Sequence, residues 1–286
     1  MTVQEKFSVI KVPQKVGKIE DVLSRLRDSY ETNLGESYTD EMWQSQTEYF
    51  TSPEFTKQKR RFLSPLIKSL QEIGNEHRIT FPGVKDLADR VYYLDRITYK
   101  NIIAVERKES GNDSLGIVLP NRLCLINFDD CEENDDSDSA LFATSVHELW
   151  HSLSYQETWQ PLDTSTPYSG ERFVRRSGFI DKRPGKMFGA NLGLHFLMEA
   201  YTEFLTEQVL KRNNIEMSNP FNDHHLLIVK LLMEKHDQLD DIFFKGAFTK
   251  NGFRPFIKAM ARISPVSPKE LLKILIPNSY QETTNV

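Results

Sequence analysis

The pattern of apolar and polar positions changes character twice along this 286-residue chain. Up to residue 75 it reads as several short helices. Each is opened by a start signal: Thr39 before Asp40 and Glu41, Ser52-Pro53-Glu54, and Ser64-Pro65. A side-chain oxygen there can accept from an orphan N–H of the first turn, and a proline lacks a donor that would have no helical acceptor. From Ile79 the runs shorten. Ile79–Phe81, Val91–Ile97, Ile102–Arg107, Gly116–Leu119 and Leu123–Phe128 are β-branched or aromatic and are separated by Gly, Asn, Asp or Pro, so they predict a small sheet. Lys85–Arg90 predicts a helix inside it, and Pro120-Asn121 a turn that makes the last two strands a hairpin.

From Ser139 to Thr158 no proline interrupts the run, and Ser137 or Ser139 is placed to cap a helix. A second buried helix is expected around Leu194, Leu197, Met198, Phe204 and Leu205. Asp223 heads a further helical run to His236, and Ser267-Pro268-Lys269-Glu270 has the form of a capping box. The reading is an α+β chain with a helical region over 1–78 and a second region over 79–286. The latter divides into sheet and helix (79–160), a basic glycine-containing loop (161–190) and a helical lobe (191–286).

Composition narrows the function classes. A formal charge of −5 with mixed signs lacks the basic stripe of a nucleic-acid protein. No stretch approaches a membrane span, and residues 1–16 lack the apolar core of a secretory signal. Cys124 and Cys131 are the only cysteines and offer no disulfide framework. A soluble, cytoplasmic protein is expected, with neither nucleic acid nor membrane as partner.

The chemistry concentrates in His147-Glu148-Leu149-Trp150-His151. Two imidazoles four residues apart share one face of a helix and can hold one ion, while Glu148 points to its side, where it can take a proton from water. Burying such a trio without partners is costly, and a metal removes that cost. Catalytic zinc commonly takes three protein ligands and keeps one position for water. Glu199, on the second apolar helix, is the leading third ligand. Glu203 shares its face and is placed to support a ligating histidine.

This pairing, His147-Glu148-x-x-His151 followed by Glu199-x-x-x-Glu203, resembles the gluzincin metallopeptidases, the thermolysin-like clan. The resemblance implies a zincin-like fold with His147, His151 and Glu199 as zinc ligands and Glu148 as general base. It also implies Glu203 as the support of a ligand, where aspartate is more usual in the clan. Two rivals compete for the third position. Glu157 falls six residues after His151, as a ligand does in metzincins, but Ser154 stands where the tight turn of that arrangement needs glycine. His195 lies one turn before Glu199.

Zinc-dependent peptide hydrolysis is therefore the expected activity, with a peptide or protein as substrate. The alternatives are an inactive metal-stabilised interaction module and a zinc hydrolase of another amide or ester. His195, Tyr168, Arg175 and Tyr201 are candidate donors to the developing oxyanion, with His195 preferred. Between the two helices lie Gly170, Gly178, Gly185, Gly189 and Gly193 with Arg172, Arg175, Arg176, Lys182, Arg183 and Lys186. That excursion predicts a hairpin around Ser177-Gly178 and otherwise reads as a solvated loop, with a flap favouring acidic side chains or a free carboxylate on the substrate as the alternative. The acidic run Asp129–Asp136 is expected to be a solvated loop.

Overall fold

A computed structural model describes residues 9–12, 16–33, 44–45, 48–49, 52–107, 114–133, 137–161, 173–178, 180–181, 192–216, 223–236 and 238–263. The chain forms two compact units, one of residues 15–153 and 205–219, the other of 1–14, 154–204 and 220–286. Helices alternate with two small sheets, which makes the chain α+β. No helix among the described residues is long and apolar enough to cross a membrane.

In the first unit, helix α1 (Ile19–Asn33) precedes the long helix α2 (Pro53–Glu76). The Ser52 hydroxyl caps α2 by accepting from the Phe55 N–H at 3.1 Å. The separate start expected at Ser64-Pro65 is instead the middle of this helix. An interior proline costs ~3 kcal/mol. Burial of Phe55, Leu63, Leu66, Ile67, Leu70 and Ile73 on one face, at ~1.5–3 kcal/mol each, outweighs it. The Ser64 hydroxyl also donates to the Arg60 carbonyl there.

Helix α3 (Val84–Ala88) and strand β2 (Val91–Leu94) follow, close to expectation. Ile79–Phe81 is neither strand nor helix, and Ile102–Arg107 belongs to helix α4 (Arg96–Arg107). Asp95 accepts from the Thr98 N–H at 2.9 Å, and the buried Tyr99, Ile102 and Ile103 recur at helical spacing, so the β-branched pair faces a core as a helix stripe. Strands β3 (Gly116–Val118) and β4 (Cys124–Asn127) form the expected hairpin, with β4 central in the order β2-β4-β3. β2 runs parallel to β4 and β3 antiparallel to it. Leu125 and Ile117 join Ile19, Leu23, Leu26 and Leu94 in one core.

Two further helices complete this region. In α5 (Phe128–Glu132) the Asn127 side chain caps the start, and Arg96 pairs with Asp130 and Glu133. The first part of the acidic run is thus a paired helical turn rather than a solvated loop, while residues 134–136 lie outside the described set. Helix α6 (Ser137–Leu153) carries the two histidines.

The second unit holds an antiparallel sheet in the order β1-β5-β6-β7, made of β1 (Val9–Val12), β5 (Gln156–Pro161), β6 (Phe173–Ser177) and β7 (Ile180–Asp181). Val9 pairs with Pro161, so the amino-terminal segment is a strand where a helical region was expected. The hairpin at Ser177-Gly178 forms as anticipated, with Gly178 at a φ of 55° that a β-carbon would strain. Helices α8 (Asp223–Lys235), α9 (Leu239–Phe248) and α10 (Phe253–Ile263) follow, with Phe243 packed edge-on against Phe256 at 4.9 Å. The capping box at Ser267 and the helix start at Thr39 lie outside the described residues. Helix α7 (Leu192–Arg212) runs unbroken, and its last turns belong to the first unit.

Candidate metal centre

Helix α6 is buried nearly all round, with Val146, Leu149 and Trp150 fully enclosed and Phe81 edge-on to Trp150 at 5.9 Å. Of the two serines expected to cap its start, Ser139 lies inside the helix and donates to the Glu216 carbonyl at 3.0 Å, while the Ser137 side chain lies outside the described set. At its other end the Ser152 hydroxyl donates to the Arg122 carbonyl at 2.9 Å. Arg122 returns a hydrogen bond to the Ser152 carbonyl at 3.1 Å, and Arg90 reaches the Ser152 hydroxyl at 3.1 Å. Guanidinium groups at a helix C-terminus satisfy carbonyls that have no helical donor and complement the negative end of the dipole. Burial lowers the pKa of both arginines, that of Arg122 to about 10 with Arg90 as the second cause. The register of the histidines is therefore anchored immediately after His151.

One turn apart, the His147 and His151 rings place their Nε2 atoms 3.0 Å from each other, with the ring planes 62° apart. Ligand atoms at ~2.0–2.1 Å around a tetrahedral zinc stand roughly 3.3 Å apart, so this pair needs only a small adjustment. Glu199 sits on α7, which continues into the turns where Arg212 pairs with Glu76 at 2.9 Å and Asn213 donates to the Ser69 hydroxyl at 2.9 Å. Donor atoms of His147, His151 and Glu199 all lie within 4.8 Å of one another. Two imidazole nitrogens and a carboxylate oxygen form a donor set that suits a borderline divalent cation such as zinc.

Glu148 is buried beside β3, and the reason its side chain fits is Gly116. A β-carbon at Gly116 would lie 2.7 Å from Glu148 Cγ, 2.9 Å from its Oε1 and 2.7 Å from Thr144 Cγ2. The Cys124 thiol, on the neighbouring strand, donates to the Glu148 carbonyl at 3.4 Å. Burial pushes that thiol far above its ordinary pKa, which keeps it neutral and unreactive. Neither contact could be read from motif spacing. A glycine opening a predicted strand beside the motif helix was the only available signal.

His195 lies one turn before Glu199, with its Nδ1 3.5 Å from Glu199 Oε1 and half of its side chain exposed. Glu203 is fully buried one turn after Glu199. Tyr201, also buried, donates to Asp240 Oδ1 at 3.2 Å, so its hydroxyl is engaged with α9. Burial raises its pKa well above the usual value, followed by the Asp240 charge. Glu157 is on β5 and Arg175 on β6, their side chains outside the described set. Tyr168 and most of the basic excursion are also outside it. Compared with protein-family models, curated proteins and solved structures, the chain has no match.

Proposed function

We propose that this protein is a zinc-dependent metallopeptidase with a zincin-like catalytic unit of the gluzincin type. The convergence of His147, His151 and Glu199, with Glu148 between the histidines in sequence, carries this reading. When bound, the ion supplies Lewis acidity: it lowers the pKa of water toward ~7 and polarises a carbonyl. The two histidines hold it as neutral donors, and Glu199 offsets part of its charge. Glu203, buried on the same face as Glu199, orients a ligating histidine through that ring's second nitrogen.

Glu148 performs the proton work, accepting from the attacking water and donating to the leaving amine. Its close approach to Gly116 restricts its rotamers. His195 is placed within a turn of Glu199 to donate to the developing oxyanion. A peptide or protein substrate follows from the class, and a cytoplasmic location accords with two free, buried thiols.

The test is metal analysis of the purified chain together with digestion of an unbiased peptide library, with and without chelator. Stoichiometric zinc and chelator-sensitive cleavage are expected. Glu148→Gln should retain zinc and lose ~10²- to 10⁴-fold in turnover. Absence of a transition metal, or unchanged turnover in Glu148→Gln, overturns the reading. Zinc retention with no cleavage of any peptide points instead to another amide or ester substrate.

A further inference from the structure

Helix α2 carries a charge that the metal centre does not use. Lys59 stands one turn after Phe55 and one before Leu63, on the apolar stripe, and is 5% exposed. Its Nζ lies 4.2 Å from the centre of the Tyr92 ring and 5.4 Å from that of Phe55. Among the described residues it makes no hydrogen bond or ion pair. Asp89, whose charge acts on it, is held by Arg60 through both oxygens at 3.0 Å. Cation–π contact stabilises an ammonium only partly, and a lysine this little exposed with no acceptor among the described residues is a group that proteins rarely keep for packing alone.

Lys59 lines a cavity of about 730 Å³, a size typical of small-molecule sites. Five aromatic residues, Tyr49, Phe55, Phe62, Tyr93 and Phe128, form part of its wall. Two wall carboxylates are already committed. Asp95 accepts from the Thr98 N–H and hydroxyl at 2.9 and 2.6 Å, and Asp129 accepts from the Arg96 N–H at 2.8 Å. Tyr93 shares a hydrogen bond with Ser145 at 3.1 Å. Among the described residues the cavity wall carries one cation, Lys59, with the Gln58 amide and the Ser45 hydroxyl as uncharged polar groups among the rings. A phosphate or other polyanion needs several donors, whereas a single ammonium matches a single carboxylate.

We propose that this cavity binds an apolar monocarboxylate, its hydrocarbon or aryl body against the aromatic walls and its carboxylate paired with Lys59. Bound there, the carboxylate supplies an acceptor that the described residues do not, and the ring faces contribute contact area without demanding further polar partners. The site is independent of the zinc ligands, so its occupancy can be read whether or not the protein hydrolyses peptides.

The experiment uses the full chain and calorimetric titration with dodecanoate, with 1-naphthylacetate, and with dodecanol as the neutral control. At least one carboxylate should bind at 1:1 and at least tenfold more tightly than the alcohol. The stronger of the two distinguishes an alkyl from an aryl ligand. Lys59→Met should weaken that binding at least tenfold, as expected for a lost charge-assisted hydrogen bond.

A second readout needs no variant. In a brief acetic anhydride pulse on the wild-type chain, the bound carboxylate should reduce acetylation of Lys59 at least fivefold and leave the exposed Lys57 unchanged. Equal affinity for dodecanol, undiminished binding by folded Lys59→Met, no binding of either carboxylate, or equal acetylation of Lys59 with and without ligand overturns the proposal.

Discussion

Helices α6 and α2 belong to the same compact unit, and each turns ionisable side chains toward the interior. On α6 the groups converge: His147 and His151 face each other at 3.0 Å and Glu199 joins them. On α2 Lys59 lies over the Tyr92 and Phe55 rings, with no acceptor among the described residues. The physical problem is shared, since a charge or an imidazole taken out of water needs a partner. The solutions differ. Convergent donors of complementary type make a place for a cation, whereas a lone ammonium lowers its own pKa, here to about 8 through desolvation, and leaves an acceptor to be supplied. Burial alone therefore does not mark a site; what distinguishes the two is the number of donors aimed at one point.

The largest expected effect concerns the convergent site. Chelation should destabilise the wild-type chain by about 4 kcal/mol where zinc stands ~1000-fold above its Kd. His151→Ala or Glu199→Ala should abolish that dependence and lower zinc affinity by more than the ~10–100-fold that a lost supporting residue costs. Thermal melts with and without chelator, with competition against a chromophoric chelator, measure both. Identical melts in wild type and His151→Ala would break the comparison at its first term.

Lys59 should show the opposite sign. A folded-state pKa of about 8 against the ordinary 10.5 means that the folded chain bears a penalty of about 3 kcal/mol for the charged form at neutral pH. Lys59→Met should therefore raise ligand-free stability by up to that amount. Between pH 8 and 10.5 the unfolded chain binds more protons than the folded one, so wild-type stability gains from this residue as pH rises through that window. Burial pushes Tyr92 up to about 12, which acts the other way above pH 10. Denaturant titrations of wild type and variant in parallel isolate the lysine. A difference that does not shrink between pH 8 and 10.5 would contradict this assignment.

Gly116→Ala sharpens the contrast between a crowded and a roomy buried group. Its new methyl would press on Glu148 and Thr144, and a crowded core insertion costs ~1–3 kcal/mol. Peptide turnover should fall ~10- to 100-fold while zinc content is retained, because displacement of Glu148 leaves the ligands in place. Ser52→Ala should remove the α2 cap for ~1 kcal/mol of stability, read as a shift in the urea midpoint. Zinc content and turnover should remain unchanged.

Much of the candidate centre is legible in the linear chain because it is local. The spacing of His147 and His151 defines a shared helix face, and the capped start at Ser52 and the turn at Pro120-Asn121 are short-range chemistry that the structure bears out. Misreadings arise where tertiary burial overrides local preference. Ile102 and Ile103 resemble a strand by composition, yet with Tyr99 they form a helical stripe against the core. Pro65 resembles a boundary, yet the buried face of α2 carries the helix through it. The strand at Val9–Val12 exists only because β5, nearly 150 residues later, supplies its hydrogen bonds.

The chain by itself determined which residue types can ligate a divalent cation, since i,i+4 geometry follows from the helix alone. Only tertiary structure decided that Glu199 reaches that pair, that Gly116 leaves room for Glu148, and that Lys59 ends among aromatic rings. Each of those depends on two segments distant in sequence meeting at ångström range, and no periodicity within either segment encodes the distance between them.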